Sequence, residues 1–335
     1  MILYLQFKEM KIILQPPQEK TGLPKLKTAI IINHNSGTLK FLSRLRYLIR
    51  RSLNSSDRKV SIFESTNYYP GCIRDLAVKA IDDGNELIVA AGGDGTVNEV
   101  AQGILGTGTV LGVIPIGSGN GFARNLGIPL RWDKAIDLLN QPRFRMIDVG
   151  TVGDHIFLVS CGFGWEAEVA NLFQNNRIRG FLPYAAYAIS TFLQYEPPEV
   201  MIHSEPNGWI YKGYPMLLTI ANMREYGFGA TIAPEASFDD GLLDICLIPR
   251  QSLLTTIKYT PELFRHRIDR VPGYISRLAH KIIISRSPKA NIQIDGSPIP
   301  AGHEISLSVM PKALKVVAPE QTTNEISPRR DPSLG

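Results

Sequence analysis

The segment ELIVAAGGDGTVNEVAQGIL, residues 86–105, constrains the fold more than any other part of the chain. Its apolar run, LIVAA, is short and has the character of a strand buried on both faces. Two glycines, an aspartate and a third glycine follow, and then Val97, Val100, Ala101, Ile104 and Leu105 fall at helical spacing. A strand running through a turn into a helix is the unit from which helix-covered parallel sheets are built. Thr96 and Glu99 have the spacing of a capping box at the helix start. That box leaves Gly92, Gly93 and Gly95 unexplained, because a cap needs one permissive position. Glycines here leave room for a close approach to the backbone, and the helix N-terminus behind them favours an anion such as a phosphate. Asp94 would repel phosphate unless a metal ion or a hydroxyl proton lies between them, which points to catalysis or magnesium positioning.

The same unit recurs on both sides. TAIIINHNSG (28–37) reads as a strand and turn, and LKFLSRLRYLIRRSL (39–53) places Phe41, Leu42, Leu45, Leu48 and Ile49 on one helical face. KVSIFEST (59–66) is a strand, GCIRDLAVKAIDDG (71–84) a helix, and TVLGVIPIGSG (109–119) a further strand. Three glycine turns at neighbouring strand ends converge on one sheet edge, where open α/β sheets bind ligands. From about Met146 the rhythm changes to strand-like pieces, among them PMLLTIANM, GLLDICLIP, HKIIISRS, ANIQIDG and HEISLSVMP, divided by turn signals. The expected organisation is an N-terminal extension (1–26), a parallel α/β nucleotide-binding domain (27–145), a β-rich, sandwich-like domain (146–319) and a disordered tail (320–335), with the active site in the cleft between the two domains.

At 335 residues and 44% hydrophobic, the chain can bury the core of two domains. A formal charge of +5 is too small for a dedicated nucleic-acid binder but suits anionic ligands or an anionic membrane surface. Cys72, Cys161 and Cys246 are odd in number, far apart and without metal-ligand spacing, as in a reducing compartment, and read as buried small apolar residues. No apolar run is long enough to span a bilayer, and the opening MILYLQFKEMK lacks the form of a signal peptide. The expected location is cytoplasmic, with membrane contact only from the surface. Neither a Walker A pattern nor a G-x-G-x-x-G turn is present, which disfavours ordinary NTPase and oxidoreductase readings.

GGDGTVNEV, with GSGNGFARNLGIP downstream and NHNSG upstream, resembles the diacylglycerol kinase catalytic-domain family, which includes bacterial lipid kinases and the sphingosine and ceramide kinases. The resemblance runs from about Lys27 to Pro319 and implies ATP-dependent phosphorylation of a lipid hydroxyl, with magnesium. It implies nucleotide contacts at Asn33, His34, Asn35, Ser36 and Gly37 in the first turn. It adds Thr66, from the spacing of TNYYPG, then Gly93, Asp94, Gly95, Thr96, Val97, Asn98 and Glu99 in the central motif, and Ser118 in the third turn. His34 replaces a proline common in the family and reads as a local substitution.

SFDDGLLDI resembles a family segment that holds a structural magnesium through two backbone carbonyls and one aspartate, here Ser237, Asp240 and Leu242. The same residues also read as a plain β-turn opening a strand. Asp148 stands where the family often has an acidic residue beside the catalytic aspartate. IQIDGSPIP matches a segment that usually reads Asp-Gly-Glu, whose glutamate is the proposed base in bacterial members. Ser297 occupies that place and cannot accept a proton at neutral pH, so the base falls to Asp94, Asp295 or Asp148. Glu166, in GFGWEAEV, matches an acidic contact to the lipid headgroup.

The uncharged segment GFLPYAAYAISTFLQY (180–195), behind Arg177 and Arg179, reads either as lipid-facing or as a helix packing the domains together. The basic face of Lys40, Arg44, Arg46, Arg50 and Arg51 reads as solvated or as touching anionic lipid. The expected protein is a lipid kinase whose partners are ATP and a lipid at the membrane surface, with no nucleic acid; a homodimer is compatible. An NAD kinase-like enzyme, which would share the GGDG turn, and a non-catalytic nucleotide- or lipid-binding regulator, suggested by Ser297, are the rival readings.

Overall fold

The computed structural model describes residues 26–34, 42–53, 59–66, 69–174, 181–287 and 290–320. The expected nucleotide contacts Asn35, Ser36 and Gly37 lie outside the described residues, as do Lys40, Phe41, Arg177, Arg179, nearly all of the N-terminal extension and all but the first residue of the tail.

The first half of the chain alternates strand and helix: β1 (Thr28–Ile32), α1 (Leu42–Leu53), β2 (Val60–Glu64), α2 (Cys72–Asp82), β3 (Leu87–Gly92), α3 (Asp94–Ile104) and β4 (Val110–Pro115). Two helices, α4 (Gly121–Asn125) and α5 (Trp132–Asn140), complete it. The strands pair in parallel in the order β2-β1-β3-β4. Every residue of β1, β3 and β4 is buried, as uninterrupted apolar runs require when helices cover both faces. Alternation divides each strand between the two layers. Ala29, Ile31, Ile88, Ala90, Leu111 and Val113 pack with α2 and α3. Ile30, Ile32, Leu87, Val89 and Ile114 pack with Leu45 and Ile49 of α1 and Ile136 and Leu139 of α5.

The second half comprises β5 (Phe144–Val152), β6 (His155–Phe157), β7 (Ser160–Gly162), α6 (Trp165–Gln174), α7 (Phe181–Gln194), β8 (Val200–Glu205), β9 (Ile210–Gly213), β10 (Pro215–Ala221), β11 (Glu225–Gly227) and β12 (Ala230–Thr231). It continues with β13 (Leu243–Pro249), α8 (Leu253–Phe264), β14 (Ile275–Ala279), β15 (Lys281–Arg286), β16 (Asn291–Ile294), β17 (Ser297–Pro300) and β18 (Glu304–Val317). One antiparallel sheet has the order β14-β13-β10-β7-β16-β17. Its Cys161, Ile220, Leu243, Ile245 and Ile294 pack against Val152, Ile202, Ile282, Ile284 and Leu307 of β5, β8, β15 and β18. Two sheets closed on a shared apolar layer make a sandwich. The α/β domain followed by a β-rich sandwich is therefore the fold the sequence announces.

β18 joins the two halves. Its first part pairs with β15, and Val316 near its end pairs in parallel with Leu111 of β4, so one ten-stranded sheet runs through both. Its register against β5 breaks between Met310 and Leu314, with Lys312 at a φ of 48°. All three cysteines are free and buried. Among the described residues no helix is long and apolar enough to cross a membrane.

Candidate active site

Two of the glycine turns meet back to back. A Cβ on Gly117 would lie 2.4 Å from the Cα of Gly93, a distance that only glycine permits. Ile116 N–H donates to Gly92 at 3.0 Å and fastens the two strand exits together. The structure corrects the capping-box expectation. α3 begins at Asp94, directly after Gly93, and no side chain caps it. The glycine turn lets the helix follow the strand at once, which leaves Thr96 and Glu99 inside the first turns. The Thr96 hydroxyl instead accepts from Asn33 Nδ2 at 2.9 Å, tying the end of β1 to α3. Glu99 accepts from Ile73 N–H at 3.2 Å and so serves the first turn of α2.

Asp94 reaches across to the third turn. Asn120 adopts a left-handed conformation at a φ of 50° and donates to the Gly117 carbonyl at 2.8 Å, which presents the start of α4. There Asp94 Oδ2 accepts from Gly121 N–H at 3.0 Å and Oδ1 from Phe122 N–H at 2.9 Å. Burial raises its pKa to about 6; the two amides oppose the rise, and the charge of Asp295 adds to it.

Asp295 sits at the β16–β17 turn with a φ of 47°. Its Oδ2 accepts from Asn98 Nδ2 and Leu158 N–H, both at 2.8 Å, and its Oδ1 from Val159 at 2.8 Å and Ser160 at 3.0 Å. Burial raises its pKa while these donors oppose the rise. Asn98 also donates to the Ile156 carbonyl at 2.9 Å, so the helix after the glycine turn is bonded directly to the second half of the chain. Ser297 lies over the same turn, its hydroxyl 3.3 Å from the position of a Cβ on Gly95. The serine that stands where the resemblance leads one to expect a glutamate therefore lies beside Gly95, the residue after Asp94.

The opposite rim is made by the β11–β12 hairpin. Asn125 donates to the Glu225 carbonyl at 2.8 Å and accepts from Glu225 N–H at 3.0 Å, and Phe228 N–H donates to Gly119 at 3.3 Å. A Cβ on Gly121 would fall 1.9 Å from the carbonyl oxygen of Tyr226. The Tyr226 hydroxyl bonds that of Thr219, which donates to Glu166 Oε1 at 3.0 Å. Phe163 N–H donates to the same oxygen at 3.3 Å, while Oε2 is buried without a partner among the described residues. Burial raises the Glu166 pKa to about 7.

The remaining expected residues occupy separate places. His34 pairs with Glu64 at 3.0 Å, and Arg46 Nε donates to Glu64 at 2.8 Å, so His34 and one basic residue of α1 are engaged with β2. The Arg46 hydrogen bond holds the Glu64 carboxyl below its ordinary pKa. Thr66 and Ser118 are exposed, and Val97 is in the core. Asp148 is fully buried and, among the described residues, makes no direct hydrogen bond to Asp94 or Asp295. Its Oδ1 accepts from Lys312 N–H at 2.7 Å, the amide released by the β18 irregularity, and its Oδ2 from Gly241 N–H at 2.6 Å. It therefore fastens the turn that contains Ser237, Asp240 and Leu242.

In that turn Asp240 accepts from Leu242 N–H at 3.1 Å, and Asp239 is drawn to the Ser237 hydroxyl at 2.7 Å. Among the described residues no group of three His, Cys, Asp or Glu could hold a metal, so a cation here would depend on main-chain carbonyls. One carboxylate with two carbonyls is an all-oxygen set that fits a hard cation.

Sequence reasoning missed Asn125, Glu225, Tyr226 and Thr219. Their partners are 53 or 100 residues away or on a hairpin of seven residues, and EYGFG carries only a weak turn signal.

An α/β domain with glycine turns at its strand ends, followed by a β-sandwich, is the architecture, and comparison with known proteins places it among lipid kinases. Residues 27–152 match the diacylglycerol kinase catalytic domain, and residues 159–318 match the YegS C-terminal NAD kinase beta sandwich-like domain. A Pseudomonas putida protein named "Probable lipid kinase YegS-like" is 30% identical over 74% of this chain and 82% of its own length. The diacylglycerol kinase of Bacillus subtilis is 29% identical over 81% of this chain and 89% of its own. An uncharacterised Synechocystis protein is 30% identical over 82% of this chain, which spans 64% of that longer relative. A solved diacylglycerol kinase from Bacillus anthracis superposes with a TM-score of 0.68 at 20% identity, covering 89% of this chain and 98% of that one, a likeness of fold. The chain belongs to the diacylglycerol kinase catalytic-domain family.

Proposed function

We propose that the protein is a magnesium-dependent lipid kinase that transfers the γ-phosphoryl group of ATP to a hydroxyl of a diacylglycerol- or sphingoid-class lipid, working in the cytoplasm in peripheral contact with the membrane. The observation that carries this reading is Asp94, held between two glycine turns by the first amides of α4 with its pKa raised to about 6. ATP, when bound, supplies the phosphoryl group, and magnesium offsets the charge that develops on it.

Hydrogen bonding and place in the fold support one of the three carboxylates considered as base. A carboxylate oxygen accepts about two hydrogen bonds. Asp295 carries four and has no capacity left for a substrate proton. Asp148 carries one amide on each oxygen, but it is wholly buried against the Gly241 turn and does not lie at the glycine turns. Asp94 carries one amide on each oxygen, and a pKa near 6 leaves it mostly ionised at neutral pH. It is therefore the residue proposed to receive the hydroxyl proton, while Asp295 and Asn98 set the position of α3 beneath it. The turns built on Gly93, Gly95 and Gly117 are proposed to offer backbone amides to the phosphates, and Asn33 and Thr96 fix the floor of the first of them. Glu166, with one buried oxygen unpartnered among the described residues, is proposed to contact the polar end of the lipid. Ser237, Asp240 and Leu242 would hold a structural magnesium that stiffens the turn fastened by Asp148.

The test is a kinase assay with ATP, magnesium and a panel of lipids, run beside an assay for NADP formation. Phosphate transfer to a lipid supports the reading; NADP formation alone would replace it with the NAD kinase reading. Tight nucleotide binding without turnover would favour a regulator, the reading that Ser297 motivates.

A further inference from the structure

α8 is joined to the body along one side only. None of its residues is buried, and its contact with the core runs through the half-buried Tyr259 and Leu263. Leu254 is 80% exposed, Ile257 62% and Phe264 40%. With the exposed Pro261 they fall at steps of three, four and three residues, which on a helix is one continuous stripe. Leu253, 42% exposed, widens it. Lys258 and Arg265, seven residues apart, border that stripe, and Arg250 precedes the helix; all three are exposed. Residues 250–270 hold five lysines and arginines against two carboxylates, so a basic border accompanies the apolar one. A soluble helix of this kind normally turns its leucines inward. Here Leu253, Leu254, Ile257 and Phe264 face away from the core, in the pattern of helices that lie in a membrane interface.

From this pattern we infer that α8 is a membrane-docking element, and that its occupant is an anionic bilayer. Leu254, Ile257 and Phe264 enter the acyl boundary, and Lys258, Arg265 and Arg250 meet the acidic headgroups. Charge complementarity selects this occupant, since a purely apolar partner would give no use to the basic border. The helix is also continuous with the candidate site. His266, just beyond α8, bonds the Thr231 hydroxyl at 2.6 Å and lies 3.7 Å from Glu225, on the hairpin that closes over Gly119 and Gly121. The inference names the docking surface of the lipid kinase proposed above and rests on that reading for the substrate it delivers.

The test is co-sedimentation of the full chain with vesicles of phosphatidylcholine alone and of phosphatidylcholine mixed with phosphatidylglycerol. The wild type, L254E/I257E and K258E/R250E are compared, with thermal melts to check the fold. Wild type is expected to favour the anionic vesicles. The L254E/I257E pair is expected to lower partitioning by roughly tenfold or more, because it removes two apolar anchors and adds two repelled charges. The K258E/R250E pair is expected to abolish the preference for anionic lipid. Phosphorylation of vesicle-embedded diacylglycerol is expected to fall with L254E/I257E, while that of a water-soluble short-chain diacylglycerol is retained. Unchanged vesicle binding in a folded L254E/I257E variant overturns the inference, as does loss of self-association in place of vesicle binding. If vesicle binding responds as expected but neither lipid is phosphorylated by any form, the docking surface stands and the kinase reading fails.

Discussion

Asp94→Asn separates the chemistry of the site from its architecture. The pKa of Asp94 stands at about 6 against an ordinary 3.8. The folded state therefore binds its proton more tightly than the unfolded one, and this contribution to stability is full below pH 3.8 and lost as pH rises through 6. By pH 8 the buried charge costs about 3 kcal/mol relative to a neutral side chain. Asparagine escapes that cost but can accept only one of the two α4 amides at its oxygen and turns an N–H toward the other, a loss of about 1–3 kcal/mol. The two nearly cancel at pH 8. On lowering the pH to 4.5 the advantage of asparagine shrinks by about 2 kcal/mol. Denaturant melts at the two pH values read this difference directly. Turnover is expected to fall by about 10²–10⁴ if Asp94 accepts the hydroxyl proton, and the wild-type rate should rise with pH through about 6. A folded Asp94→Asn protein with wild-type turnover would refute the assignment, and a pH-independent stability difference would refute the buried charge.

Other perturbations test the surroundings. Glu166→Gln removes a charge whose pKa is raised from 4.5 to about 7. The variant should match wild type near pH 4 and exceed it by about 3 kcal/mol at pH 8 in denaturant melts, while KM for the lipid rises. Gly121→Ala sets a methyl against the Tyr226 carbonyl. The hairpin must shift, lowering stability by about 2–3 kcal/mol and weakening ATP binding measured by calorimetry. Ser297→Glu adds a carboxylate beside Gly95. A like charge raises the Asp94 pKa further, so the acid limb of the pH–rate profile should move upward from about 6; an unmoved limb would place residue 297 out of reach of Asp94.

What could be read from the chain alone was whatever depends on neighbours in sequence. LIVAA and TAIII are apolar without alternation because both faces are covered, and β3 and β1 lie where those runs fall. The free buried cysteines and the strands of the second half follow from local pattern in the same way. The glycine turns were legible as a place of close approach, although the backbone they approach belongs partly to each other. The capping box failed because spacing shows which residues could cap and not where the chain turns. Thr96 and Glu99 answer to Asn33 and Ile73, on other elements. The bond between Asn98 and Asp295 spans 197 residues, and nothing near either residue announces the other. Asp148 was readable as an important carboxylate, but its amide partners at Gly241 and Lys312 depend on an irregularity in β18 with no sequence signature. α8 escaped notice because its helical stripe is exposed, and periodicity alone does not say which side of a stripe meets the core.

The pairing of Val316 with Leu111 bears on how the chain is made. During synthesis the four parallel strands of the first half emerge early, but the VLGVIP edge of β4 has no partner until the end of β18 leaves the ribosome, some two hundred residues later. An apolar parallel edge left open for that time is a site for pairing with another chain. A fragment ending before β18 would keep its glycine turns and still be prone to precipitate, so successful production of this protein should depend on its last strand as much as on its first domain.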